Sequence, residues 1–320
     1  MNKPVLWITR RLSDAALERA QKDYDTIINW HDDPPSQEQI IAMSAKVDAI
    51  LPCHSEIFDR QTTEQLNDRL KIIANHSVGV DHCDLAALAQ KGIRVTNTPD
   101  VLSDATAEIA LLLMLGAARR AVEGDALVRN GKWETWSPSF MVGKQVSGAR
   151  LGIIGMGRVG RAMARNARGL NMEVHYFNRS RLSAELEQGA IYHDTLDSLL
   201  PDCDFLSLHC PATPETTGIM NAARFAQMPK QSVFVNTARG ALVVEEDLIA
   251  SLQDGQLFAA GLDCFVNEPG GNPEFAKLPN VFMLPHIGSA TDRTRDAMGF
   301  RALDNLDAFF AGKIPQDLVA

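Results

Sequence analysis

The sequence predicts an α/β protein made of two doubly wound parallel sheets, each with helices on both faces. Three observations carry this. Short apolar runs alternate with polar, helix-like segments along most of the chain, a pattern that calls for a parallel sheet covered on both sides. The chain has 320 residues, 45% of them hydrophobic, which suffices for two domains with separate cores. A glycine-rich turn, GMGRVG at 155–160, joins an apolar run to a helical segment in the second half.

In the first half, residues 5–9, 47–51, 70–74 and 93–95 are short apolar runs expected as strands, and 14–23, 37–45 and 83–91 have the spacing of helices. The loop SVGVDH at 77–82 follows one of these strands, where ligands collect in open α/β sheets, and its glycine suits backbone N–H donation to a carboxylate. Asn97-Thr98-Pro99 is a crossover, because proline bars helix at the residue before it. The segment 103–120 is apolar all round in its middle and is expected as a buried helix between domains, with Ser103 or Asp104 as N-cap. From 124 to 146 there is no clear period, and Trp133, Trp136, Phe140 and Met141 suggest a surface that another chain covers.

The second half centres on the glycine turn. Gly155 permits the tight turn, Gly157 lets a pyrophosphate approach the backbone, and Gly160 lets the helix at 158–170 lie close to the strand at 151–154. Free N–H groups and the dipole of that helix start favour phosphate. The next strand, 173–177, ends in Asn178, Arg179, Ser180 and Arg181, where an NAD site usually places Asp or Glu for the ribose hydroxyl. Two guanidiniums and a hydroxyl suit a 2′-phosphate instead, so the turn predicts NADPH, with NADH weaker. Strands are expected at 204–208, 232–236, 257–263 and 281–284, and helices at 195–200, 222–228, 244–254 and 291–311. The last helix is expected to return to the first domain. The expected domains are 1–98 with 288–320, for substrate, and 99–287, for dinucleotide, with an arm at about 120–146 and an interdomain cleft hinged near Pro99 and Ile287.

Arg239, Glu268 and His286 each follow a predicted strand, so parallel strands would bring all three to the rim that holds the glycine turn. The set suits reduction of a 2-oxo acid. An arginine can bind the carboxylate and polarise the ketone, a histidine can deliver a proton, and a carboxylate can hold the histidine ring. The formal charge of −9 argues against nucleic acid or an anionic membrane as partner. Cys53, Cys83, Cys203, Cys210 and Cys264 lack zinc spacing, so reduced thiols and no metal are expected. An N-terminal apolar run too short for a signal peptide, and no run of membrane-spanning length, point to a cytoplasmic protein.

At this point the chain resembles the D-isomer-specific 2-hydroxyacid dehydrogenases. The matching motifs are SVGVDH at 77–82, NTPDVLSDATAE at 97–108, GMGRVG at 155–160, LHCPATPET at 208–216, NTARG at 236–240, GLDCFVNEP at 261–269 and PHIGSAT at 285–291. The resemblance implies two Rossmann-like or flavodoxin-like domains. It implies Arg239 as substrate-binding arginine, His286 as acid/base and Glu268 as its partner, with backbone N–H groups of Val78 and Gly79 on the substrate carboxylate. Thr106, the turn from Gly155 through Met156, Gly157, Arg158, Val159 and Gly160, and Asn178 to Arg181 would contact the cofactor. His209, Cys210, Pro211, Thr237, Ala238, His286 and Gly288 would line its cleft, and Asp263 would hold the nicotinamide carboxamide.

Glu268 is unlike the glutamine of the formate dehydrogenase branch. Within the family the chain is most similar to NADPH-dependent glyoxylate/hydroxypyruvate reductases. KWETWSP at 132–138 resembles a dimer arm whose tryptophan, here Trp136 with Trp133 in reserve, reaches the neighbouring active site. A homodimer acting on glyoxylate and hydroxypyruvate is therefore expected. The alternatives are a reductase for a larger acid such as 2-ketogluconate, and a dinucleotide-sensing corepressor of the C-terminal-binding-protein type, which usually carries long disordered extensions and uses NAD(H).

Overall fold

A computed structural model describes residues 3–320; Met1 and Asn2, which the expected first domain includes, lie outside the described residues. The chain divides into two units, one running to Leu102 and resuming over Ser289–Ala320, the other spanning Ser103–Gly288.

The first unit opens with β1 (Val5–Ile8), α1 (Asp14–Asp23), β2 (Asp25–Ile28), α2 (Gln37–Ser44) and β3 (Ala49–Leu51). It continues with α3 (Arg60–Gln65), β4 (Ile72–Ala74), α4 (Leu85–Gln90) and β5 (Arg94–Thr96). The five strands are parallel in the order β2-β1-β3-β4-β5, the flavodoxin-like arrangement. Strands buried on both faces explain the continuous apolar runs: Leu6, Ile8 and Leu51 pack with Ala16 and Leu17 on one side, and Ile50 and Ile73 with Ile40, Phe58 and Leu88 on the other. Ser36 and Gln39 start α2 with a reciprocal capping box.

The second unit begins with α5 (Ser103–Ala118) and α6 (Ala121–Arg129), followed by β6 (Arg150–Ile154), α7 (Arg158–Gly169), β7 (Glu173–Phe177), α8 (Ala184–Glu187) and β8 (Ile191–His193). Then come α9 (Leu196–Leu199), β9 (Phe205–Leu208), α10 (Ala222–Phe225), β10 (Ser232–Asn236), α11 (Glu245–Gln253), β11 (Leu257–Leu262) and β12 (Val281–Met283). α12 (Asp292–Phe310) returns to the first unit, where Ala302, Leu303 and Leu306 join the core beside α1. Seven parallel strands lie in the order β12-β11-β10-β9-β6-β7-β8, so chain direction across the sheet reverses between β6 and β9. That switch point is where open α/β sheets leave a crevice.

The buried helix read from 103–120 is α5, and it packs on α7 and on β10, β11 and β12 of its own unit. Two glycines make this possible: a Cβ on Gly116 would lie 2.3 Å from the Phe282 ring, and one on Gly261 would lie 2.7 Å from Leu113 Cβ. Leu112 is nonetheless 46% exposed, so the helix is not covered all round.

Five further elements are not legible as periodic segments. β2 and β8 are edge strands, only partly buried, and α3 and α8 are single turns or little more. α6 occupies part of the stretch expected as irregular and fully buries none of its residues; the face it lays on α5 and β12 is only half-buried and consists of Glu123, Gly124 and Leu127, so a single apolar residue marks it in the sequence. Among the described residues no helix is long and apolar enough to cross a membrane. None of the five cysteines is in a disulfide, and burial pushes the Cys53, Cys83 and Cys203 thiols up to about 12, which keeps them protonated and unreactive.

Candidate active site

The glycine turn sits at the switch point, between β6 and α7. Gly155 has φ +95°, and a Cβ there would lie 2.5 Å from the Cys210 backbone N, so the turn and the His209-Cys210 peptide touch. His209 N–H donates to the Ile154 carbonyl at 2.8 Å, which ties the two loops across the crevice. A Cβ on Gly160 would lie 2.3 Å from the Gly155 carbonyl oxygen, so this glycine is required by helix–strand packing. Gly157 differs: a Cβ there would meet no protein atom within 4 Å. Its openness leaves room for a ligand against the backbone. Met156, Arg158 and Val159 complete the turn, and no side chain caps α7, so its first N–H groups keep their anion-binding capacity.

The end of β7 is partly different from the sequence expectation. Asn178 Oδ1 accepts the Met156 N–H at 2.7 Å, so this side chain shapes the turn. Arg181 is bound to Glu187 through Nε at 2.8 Å and Nη2 at 3.1 Å, and it lies over the Tyr192 ring. Its charge is therefore largely answered within the chain, which corrects the expectation of two available guanidiniums. Arg179 and Ser180 are exposed at the tip.

Whether these residues fit a dinucleotide can be judged from the buried polar atoms nearby. His209 Nδ1 and Thr237 Oγ1 are buried and have no hydrogen-bond partner among the described residues. Buried polar atoms are rarely left unsatisfied without a reason. With the open face of Gly157, they fit a bound dinucleotide.

Burial lowers the His209 pKa to about 4, so its ring is neutral and can accept or donate one bond at each nitrogen. Ser207 Oγ meets its Nε2 at 2.9 Å. Asp263, at the end of β11, accepts the Ile287 N–H at Oδ1 and the Gly288 N–H at Oδ2, both at 2.8 Å. Burial raises its pKa, opposed by these two backbone donors. Thr106 lies beside the same atoms, about as close to a Cβ placed on Gly288 (3.3 Å) as the Asp263 carboxylate is (3.2 Å).

The three chemically suggestive residues follow adjacent parallel strands. Arg239 lies just after β10, Glu268 after β11 and His286 after β12, and these strands are neighbours in the sheet. His286 Nδ1 and Glu268 Oε2 are 2.5 Å apart, and Glu268 Oε1 accepts the Phe265 N–H at 2.7 Å. Both carboxylate oxygens of Glu268 are thus engaged, one of them fixing the imidazole ring. His286 has φ +54°, a left-handed conformation that costs a non-glycine residue energy and occurs disproportionately at functional sites.

Two supporting residues were not singled out from the sequence. Asn236 accepts the Ala238 N–H and donates to the Arg239 carbonyl, so it shapes the loop carrying the arginine, together with Ala238. Glu245, almost buried, accepts the Val266 N–H at 2.9 Å and the Asn272 amide at 3.1 Å, which anchors the loop carrying Glu268. Their signal was weak, because asparagine is common wherever a strand runs into a turn, and glutamate wherever a helix begins. Gly240, the last residue of the NTARG motif, is required by packing: a Cβ there would overlap the Phe265 carbonyl carbon at 1.9 Å.

In the first unit, Val78 and Gly79 follow β4. The Asn97 amide donates to the Val78 carbonyl at 2.8 Å, and the Ser77 hydroxyl donates to the Gly79 carbonyl at 2.7 Å. Fixing the Val78 carbonyl also fixes the Gly79 N–H, which points the opposite way in the same peptide plane. Trp136, in the loop after α6, is 74% exposed, and Trp133 is 58% exposed. Pro211 follows Cys210 at the end of the β9 loop, where Thr216 Oγ1 donates to its carbonyl.

Comparison with known proteins agrees with this architecture. Residues 111–288 match the family described as D-isomer specific 2-hydroxyacid dehydrogenase, NAD binding domain. Glycerate dehydrogenase of Hyphomicrobium methylovorum is 41% identical over 98% of this chain and 98% of its own. Glyoxylate reductase of Thermococcus litoralis is 40% identical over 99% of this chain and 97% of its own. Among solved structures, NADPH-dependent glyoxylate/hydroxypyruvate reductase from Sinorhizobium meliloti, in complex with NADP and malonate, superposes with a TM-score of 0.88 at 30% identity, covering 100% of this chain and 97% of that one. Since the fold, the glycine turn and near-complete coverage by such relatives agree, the chain belongs to the D-isomer-specific 2-hydroxyacid dehydrogenase family.

Proposed function

We propose that this enzyme reduces small 2-oxo acids, glyoxylate and hydroxypyruvate, to D-2-hydroxy acids with NADPH in preference to NADH. The observation that carries the reading is the His286–Glu268 pair at the carboxyl end of the sheet that bears the glycine turn. Bound NADPH supplies the hydride. Glu268 holds Nδ1 of His286, so Nε2 is the atom that delivers a proton to the ketone oxygen. Arg239 binds the substrate carboxylate and polarises the ketone, and the N–H groups of Val78 and Gly79 receive the same carboxylate. Relatives named glycerate dehydrogenase and glyoxylate reductase support the substrate class.

For the cofactor, the Gly155 to Gly160 turn takes the pyrophosphate, with Thr106 near the phosphates. His209, Cys210, Pro211, Thr237, Ala238 and Gly288 line the site, and Asp263 holds the carboxamide. Arg179 and Ser180 meet the 2′-phosphate, while Arg181 braces the turn through Glu187. Oxidation of NADPH and NADH with glyoxylate, hydroxypyruvate, pyruvate and 2-ketogluconate, measured side by side, tests the reading. Preference for NADPH with the first two acids is expected. Preference for 2-ketogluconate would move the substrate, and no turnover despite tight NADPH binding would favour a sensor.

Two narrower predictions follow from the turn. Arg179→Ala should reduce the NADPH/NADH ratio of kcat/KM by roughly tenfold or more, the value of one charge-assisted bond; an unchanged ratio would remove Arg179 from cofactor selection. Gly157→Ala should weaken NADPH binding at least tenfold and leave the melting temperature within about 2 °C, because the added methyl meets no protein atom. Unaltered NADPH affinity would show that no cofactor group packs on that backbone.

We also propose that the enzyme is a homodimer through α6 and the loop after it, with Trp136 reaching the partner's substrate. Support comes from a helix that buries none of its residues and from the exposed Val122, Val128, Trp133, Trp136 and Val142. Sedimentation equilibrium tests this, and a monomer at micromolar concentration would reject it.

A further inference from the structure

Away from the cofactor crevice, the outer edge of the seven-stranded sheet gathers imidazoles and carboxylates. β7 and β8 pair in parallel with His175 opposite Ile191 and His193 opposite Phe177, so the two histidines lie diagonally across the pair. His175 Nδ1 and His193 Nε2 are 2.9 Å apart. Asp202, in the turn before β9, completes the group: one ligand atom from each of the three residues lies within 4.8 Å of the others. The His175 side chain is only 7% exposed, and its Nε2 meets Glu173 Oε1 at 2.8 Å.

We propose that His175 Nδ1, His193 Nε2 and the Asp202 carboxylate form a binding site for a first-row divalent cation, Zn²⁺ in particular, that clips the sheet edge. Glu173 accepts a bond only from protonated Nε2, which in a neutral ring leaves the Nδ1 lone pair for the metal. A carboxylate behind a ligating histidine is the usual support of such a ligand. Tetrahedral zinc with two nitrogens at about 2.0–2.1 Å sets them roughly 3.3 Å apart, so the pair must open by only a few tenths of an ångström. His193 carries the proton of the present N···N bond; on metal binding that proton shifts to its Nδ1, and water fills the fourth position.

Charge is also suitable. Arg150 faces the site, but its Nε and Nη2 are held by Asp204, and only Nη1 reaches Asp202 Oδ1, at 3.3 Å. One Asp202 oxygen is left by that contact for the metal, and Glu173, Asp202 and Asp204 outnumber the single guanidinium. The mechanical result would be a clamp. Among the described residues β8 is a three-residue edge strand whose one neighbour in the sheet is β7, and the metal would join it to β7 and to the turn before β9.

Isothermal titration of the full-length protein with Zn²⁺, in a buffer that does not chelate, tests the site. Wild type should bind one equivalent more than His193→Ala, and Asp202→Asn should weaken the same equivalent by about tenfold or more. Glu173→Gln, which touches no metal, should weaken it by about 10- to 100-fold. Crystals soaked in Zn²⁺ should give an anomalous peak between the two imidazoles. Equal stoichiometry and affinity in wild type and His193→Ala, with far-UV circular dichroism unchanged, would overturn the proposal, as would a peak only elsewhere.

Discussion

Replacing His286 with asparagine is expected to lower kcat for glyoxylate reduction by about 10²–10⁴-fold, the usual contribution of a positioned general acid, with the Kd for NADPH changing less than threefold or so. Asparagine is the informative substitution because the residue has φ +54°, and asparagine tolerates left-handed backbone better than alanine. The loss then reports on the proton and not on a relaxed loop. Steady-state kinetics with fluorescence titration of NADPH checks it. A kcat within threefold or so of wild type would remove His286 from the chemistry. Glu268→Gln should show a smaller loss, since the ring keeps a hydrogen-bond partner of the same length but not a charged one.

Acid should destabilise both units through one histidine each, His76 buried outright and His209 half-buried with its Nδ1 shielded from water. Burial pushes His76 in the first unit and His209 in the second down to about 4, against about 6.5 in an unfolded chain. Because the folded values are depressed, the unfolded state holds more protons between these limits. Stability from both neutral rings is complete above pH 6.5 and is lost as the pH falls towards 4. A shift of that size corresponds to roughly 3 kcal/mol for each histidine at the acid end.

Urea unfolding at pH 7.0 and pH 4.5 measures this, with His76→Asn and His209→Asn as comparisons. Carboxylates contribute to acid sensitivity in every variant, so the test is the difference. Each substitution should make the affected unit less sensitive to acid, and equal acid sensitivity in wild type and both variants would refute it.

What was decided by sequence alone was local in origin. Apolar runs of strand length separated by helical spacing require a parallel sheet, and GMGRVG between a strand and a helix requires a close backbone approach that only glycine permits. β6, α7 and β7 follow from that, as does the placement of Arg239, Glu268 and His286 after β10, β11 and β12. The motifs, in their order, also carried the family.

Tertiary structure decided what depends on which side chains and strands become partners. That Arg181 is occupied rests on Glu187 being held by Tyr176 as well, which spacing does not reveal. α6 half-buries one short face, of which only Leu127 is a large apolar residue, so no apolar period in the sequence marks it. The edge strands β2 and β8 gain definition only by pairing with β1 and β7. The imidazole pair at the sheet edge follows the same rule: His175 and His193 are 18 residues apart and meet because parallel pairing puts them side by side. Local preference and periodicity are written along the chain, whereas the partner of a charge is fixed only when strands take their register.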